Sequence, residues 1–274
     1  MMQEHILQEL AQIEKDHDVK ILFSVESGSR AWGFPSKDSD YDVRFIYIHK
    51  PEWYLSIDQK RDVIEIPFRE SISIPIDPLL DVSGWELTKA LRLFRKSNPP
   101  LLEWLNSSII YYEAYSTTDQ IRELGGKIFS PLSCLHHYLN MAKGNFRGYL
   151  QGSEVKIKKY FYVLRPIFAA KWIEKYHTIP PIGFEDLFED IVPSGELKAS
   201  IETLLKRKRA GEELRLEQRV DTINEYVVKE IEHLEDLTKS IKPHTHDPTK
   251  ELDELFRGTL EEVWGLDDHF IVRS

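Results

Sequence analysis

Apolar residues recur at Ile6, Leu7, Leu10 and Ile13, a spacing of three and four that predicts an amphipathic helix over 3–15. The period then shortens. Lys20-Ile21-Leu22-Phe23-Ser24-Val25 is almost continuously apolar and predicts a strand, as do the runs over 41–48 and 62–67. Leu87, Leu91 and Phe94 form one stripe of a helix from about Trp85 to Lys96. Pro99-Pro100 opens another short helix, because proline is tolerated in a first turn. Ile109 to Tyr112 predicts a last strand. Pro75 and Pro78 disfavour a central strand just before Asp81, so that strand is expected to be short or at an edge.

Beyond residue 115 strand signal almost vanishes. Helices are expected at roughly 117–125, 131–150, 154–177, 194–209, 214–240 and 248–263, with Pro166 kinking or restarting the third. Pro180-Pro181 and the 243–248 segment read as connectors. The chain is therefore expected to be α+β: residues 1–115 a mixed sheet with flanking helices, residues 116–274 an all-helical C-terminal domain.

Composition narrows the classes. The 274 residues, 41% hydrophobic, can bury the core of two domains. The net charge of −10 argues against a broad nucleic-acid-binding face. Two basic clusters survive that average: Lys156, Lys158, Lys159 and Arg165 among aromatics, and Lys206-Arg207-Lys208-Arg209, read as a solvated helix end. One cysteine, Cys134, excludes a disulfide framework and a thiolate zinc cluster, and fits a reducing cytoplasm. The first residues lack a signal peptide's basic start and apolar core, and no run approaches a membrane span of about 20 residues. His136-His137 point about 100° apart on a helix. His244 and His246 sit in a linker with no partner cluster, and Gly125-Gly126 lacks a P-loop ending.

The chemistry concentrates between residues 20 and 45. A strand ends in Gly28-Ser29, Arg30-Ala31-Trp32-Gly33 follows as a short helical turn, and Asp38-Ser39-Asp40-Tyr41-Asp42 leads into Val43-Arg44-Phe45-Ile46. A small-residue turn lets backbone N–H groups approach a phosphate. Residues i and i+2 of a strand share a face, so Asp40 and Asp42 project together, their Cα atoms roughly 6–7 Å apart. Two carboxylates so placed suit Mg²⁺ or Mn²⁺.

This arrangement resembles the nucleotidyltransferase superfamily that includes DNA polymerase beta. Gly28 to Gly33, Asp38 to Phe45, and Asp81-Val82-Ser83-Gly84-Trp85-Glu86-Leu87 are similar to the predicted nucleotidyltransferase family of the YcgL type, some members of which are associated with RNA repair. The resemblance is specific over 20–110 and looser beyond. It implies a nucleotidyltransferase-like sheet and a third carboxylate on a neighbouring strand. Asp81 and Glu65 compete for that role, with Asp81 favoured by the strand-to-helix passage after it. It further implies transfer of an NMP from an NTP to a hydroxyl, with release of pyrophosphate. Asp40, Asp42 and Asp81 would hold the metal ions, and three such carboxylates imply at least one raised pKa. Gly28, Ser29 and Arg30 would hold phosphates.

Lys159 and Tyr162, three apart on the 154–177 helix, are the candidates from the opposite wall, lysine for phosphate and tyrosine for the base. The acceptor stays open among an RNA end, a protein side chain and a small molecule. The acidic balance favours the last two, the resemblance RNA. A non-catalytic nucleotide-binding or interaction protein on the same fold is the alternative.

Overall fold

The computed structural model describes residues 2–36, 39–212, 214–242 and 247–265. Asp38, His244 and His246 lie outside them. The N-terminal half runs α1 (Met2–His17), β1 (Val19–Glu26), α2 (Gly28–Ala31), β2 (Tyr41–His49), α3 (Pro51–Tyr54), β3 (Val63–Ile66), β4 (Leu80–Glu86), α4 (Leu87–Arg95), α5 (Pro99–Leu105) and β5 (Ile110–Glu113). The remainder runs α6 (Thr117–Ile128), α7 (Pro131–Tyr149), β6 (Glu154–Lys156), α8 (Ile157–Tyr176), α9 (Phe184–Ile191) and α10 (Glu196–Arg207). A wide turn, Lys208–Glu212, then leads to β7 (Leu216–Gln218), α11 (Asp221–Ser240) and α12 (Thr249–Trp264).

Five strands form one sheet in the order β3-β4-β2-β1-β5. β2 and β4 are parallel; the other neighbours are antiparallel. The expectation for the strand at Asp81 needs correction. β4 is seven residues long and interior, because Pro75 and Pro78 fall in the loop before it and remove no ladder hydrogen bond. Its helix also begins later than expected. Trp85 and Glu86 complete the strand, and the buried Glu86 caps α4 by accepting from Thr88 N (2.8 Å) and Lys89 N (3.3 Å). Gly84 is required by packing: a Cβ there would lie 2.2 Å from the Phe45 ring.

Strand alternation divides the sheet into two faces. Val43, Phe45, Tyr47, Ile64, Ile66, Leu80 and Val82 bury against Ile6, Leu10 and Ile13 of α1. On the other face, Ile46 and Ile48 enter the larger core, which continues through α4, α5, α7 and α8 without a break near residue 115. Asp42, Arg44, Asp81 and Ser83 occupy the same face nearer the strand starts, where this apolar cover ends.

The C-terminal half is helical except for the β6–β7 ladder, in which Val155 pairs with Glu217. The all-helical expectation failed there because three-residue strands are too short to display alternation. α9 was not foreseen either; its Phe184, Leu187 and Phe188 are buried. Pro166 neither restarts nor ends α8. Lacking an N–H, it leaves the carbonyl of Tyr162 without its usual helical donor, and Asn145 Nδ2 supplies one at 2.9 Å. Among the described residues no helix is long and apolar enough to cross a membrane.

Candidate active site

The parallel register between β2 and β4 sets Asp42 directly beside Asp81. β1 ends next to them. Its buried Glu26 accepts the Asp42 N–H at 2.8 Å and the Tyr111 hydroxyl, and Ser27 N donates to Asp42 O at 2.9 Å. Gly28 follows with φ of +59°. A Cβ at this position would sit 2.0 Å from Asp42 Oδ2. Glycine therefore serves twice, adopting a left-handed conformation and letting a carboxylate lie against the backbone.

From Ser29 the chain turns through α2. Trp32 N and Phe34 N donate back to Gly28 O (3.0 Å) and Ser29 O (3.1 Å). Arg30 is committed to this loop: it donates to Ser39 O (2.7 Å) and Asp40 O (3.1 Å) and lies 3.7 Å from the Tyr41 ring centroid. Its guanidinium shapes the aspartate loop from behind. The helical half holds the same loop from the other side, with Phe184 N donating to Trp32 O (3.0 Å) and Lys208 Nζ to Phe34 O (3.1 Å).

Between these walls lies a cleft of about 290 Å³, lined by Gly28, Ser29, Trp32, Ser39, Asp40, Asp42, Lys158, Tyr162 and Lys208. Asp40 is exposed at its rim. Tyr162 lines it as expected of a cleft residue, but the lysine beside it is Lys158. Lys159 packs with its Nζ 3.7 Å from the Tyr149 ring centroid and 4.9 Å from that of Tyr162. Lys158 and Tyr162 are four apart, so helical spacing alone made Lys158 an equal candidate.

Three further residues escaped sequence reasoning. Lys208, read as part of a solvated helix end, is buried, because α10 stops at Arg207 and the wide turn carries Lys208 inward over Phe34. Its neighbours Arg207 and Arg209 are ion-paired with Glu212 and Glu185. Trp32 is held by a half-buried network: Arg165 lies 4.5 Å over its ring and Glu103 accepts from both Arg165 (2.7 Å) and the indole N–H (3.3 Å). Arg165 thus leaves the exposed basic cluster to which its sequence neighbours assigned it. No local pattern pointed to either contact.

Arg44 is the third, and strand period two could have found it, since it shares the face of Asp42. Its Nη2 donates to Asp42 Oδ1 (3.0 Å) and Asp81 Oδ2 (2.8 Å). The Asp42 carboxyl is held above its usual range chiefly by burial; Arg44 opposes the shift, and Asp81 and Asp40 add to it. Glu65 also faces this side, opposite Ser83, but its carboxylate is taken by Arg61 (2.5 Å) and Arg69 (3.5 Å). All-oxygen donors at Asp40, Asp42 and Asp81 match the chemistry of a hard divalent cation. Among the described residues no three acidic, histidine or cysteine side chains converge as a metal-binding group. The structure brings Asp42 and Asp81 together around Arg44 and leaves Asp40 at the rim.

A parallel strand pair that sets two aspartates side by side below a Gly-Ser turn, facing lysines from a helical wall, defines a nucleotidyltransferase-like protein. The chain belongs to the RNA repair pathway DNA polymerase beta family, whose profile matches residues 2–258. It is 57% identical over 263 residues to YcgL, an uncharacterized protein of Bacillus subtilis (strain 168), spanning 96% of this chain and 98% of that one. A nucleotidyltransferase-like protein from Exiguobacterium sibiricum 255-15 is similar at 11% identity and a TM-score of 0.28, over 100% of this chain and 85% of that one; a likeness at this level adds nothing to the assignment.

Proposed function

We propose that this chain is a Mg²⁺-dependent nucleotidyltransferase that moves an NMP from an NTP to a hydroxyl acceptor and releases pyrophosphate. The observation that carries the reading is the β2–β4 register, which sets Asp42 beside Asp81 under Gly28 at the mouth of a lysine-lined cleft. Asp42 and Asp81, with Asp40 from the rim, would hold Mg²⁺ or Mn²⁺. Such ions neutralise the triphosphate and lower the pKa of the acceptor hydroxyl. Asp81, its side chain 37% exposed beside Asp42, would receive or relay the acceptor proton. Ser29 and the adjacent amides would take the terminal phosphates, with Lys158 and Lys208 adding charge from the opposite wall. Tyr162 and Trp32 would bound the base.

The family's description makes an RNA end the first acceptor to test. The experiment incubates labelled NTPs and Mg²⁺ with RNA ends, proteins and small hydroxyl compounds and measures pyrophosphate release, with Asp42→Asn as the control. Release by the native chain, lost in Asp42→Asn, supports transfer. One observation favours a second reading, a nucleotide-binding protein without turnover: Arg44 already bridges the two aspartates. NTP binding without release for any acceptor would establish that reading instead.

A further inference from the structure

We infer that Arg44 is the resident counter-cation of the Asp42–Asp81 pair, so that entry of a divalent ion and withdrawal of the guanidinium are one exchange. The inference rests on the nucleotidyltransferase reading of the site and adds to it a residue that sets how readily the site takes metal.

The geometry follows from the strands. Asp42 and Arg44 share a face of β2, and β4 brings Asp81 level with Asp42. One nitrogen, Nη2, then reaches Asp42 Oδ1 at 3.0 Å and Asp81 Oδ2 at 2.8 Å. The other, Nη1, is tied to the carbonyls of Asp81 (2.7 Å) and Val43 (3.1 Å), which aims the group into the gap. Asp42 Oδ2 is turned toward Gly28, so Oδ1 is the oxygen presented to Asp81. A bridging cation would need the two oxygens that Arg44 now holds, and two cations cannot share that gap.

Among the described residues the ion pairs of Arg44 are with Asp42 and Asp81. Ser83, across from it, is uncharged, and Glu65 is held by Arg61 and Arg69. The Arg44 side chain is only 18% exposed, so solvent screens these contacts less than a surface pair. Arg44 does for the pair what a metal would do, keeping like charges apart and both side chains oriented. It is a positioning residue whose release is part of metal affinity.

The test is calorimetric titration with Mn²⁺ alone, without nucleotide, read beside circular dichroism. Arg44→Gln removes the charge and should bind Mn²⁺ at least about tenfold more tightly than the native chain, the scale of hydrogen bonds to charged groups. Arg44→Lys keeps the charge but loses the Nη1 contacts to the Asp81 and Val43 carbonyls that aim the guanidinium into the gap. It should fall between the two, and it carries the test if Arg44→Gln does not fold. Arg92→Gln removes a positive charge that pairs with Asp62 and not with Asp42 or Asp81, and should match the native chain. Mn²⁺ binding that is equal or weaker in folded Arg44 variants overturns the exchange and leaves the nucleotidyltransferase reading standing. No Mn²⁺ binding by the native chain or any variant overturns both.

Discussion

The cleft has two walls made by different means. The sheet wall takes Gly28, Ser29, Trp32, Ser39, Asp40 and Asp42 from one short stretch of sequence, with Asp81 laddered beside Asp42. The helical wall draws Lys158 and Tyr162 from α8 and Lys208 from a turn after α10, none adjacent in sequence to the sheet residues they face. In the first wall backbone register sets the geometry: β1 ends, Gly28 reverses the chain, and period two aims the acids. In the second, side-chain packing sets it. Arg165, buried in α8, is locked to Glu103 of α5 and lies against Trp32, so the helix that carries Lys158 is joined to the loop that carries Ser29. The sheet wall should therefore be sensitive to single substitutions in chemistry, and the helical wall to substitutions in stability.

That contrast can be broken most directly at the acids. Asp42→Asn preserves shape but removes the charge, and pyrophosphate release is expected to fall about a thousandfold, as for loss of a main electrostatic contact to a reacting group, with little change in melting temperature. Gly28→Ala should approach the same loss, because its Cβ would collide with Asp42. Full activity in either would remove the sheet wall from the chemistry.

Arg165→Met tests the other wall. It leaves the half-buried Glu103 without its cation, with Tyr138 and Trp32 still donating to it, and should lower stability by about 1.5–3 kcal/mol in urea denaturation. A variant as stable as the native chain would show that the walls are not joined through this pair. Asn145→Ala should cost about 1–3 kcal/mol by the same measurement, because it leaves the Tyr162 carbonyl beside Pro166 without a donor.

The smallest effect discriminates between neighbours. Lys158→Ala should raise KM for NTP about tenfold, the value of one charge-assisted hydrogen bond, while Lys159→Ala should change it less than about twofold. The reverse order in steady-state kinetics would mean that α8 turns on NTP binding.

Local pattern carried the strands around Gly28 and Asp42, the α1 stripe, most of the later helices and the family itself, because a strand-turn-strand motif needs only neighbours in the chain to be recognised. It even contained Arg44, visible as the residue two beyond Asp42. It misjudged β4, since prolines in a loop look the same in sequence whether the next strand lies inside or at the edge of a sheet. It had no means of choosing Asp81 over Glu65 except resemblance; the parallel ladder, which is a property of two segments some 40 residues apart, sets Asp81 against Asp42 and gives Glu65 to arginines. The choice of Lys158 over Lys159, the place of Lys208 and the Arg165–Trp32 contact came from folding alone. A side chain's face on its own helix is written in its spacing, but which wall that face meets depends on how whole elements pack.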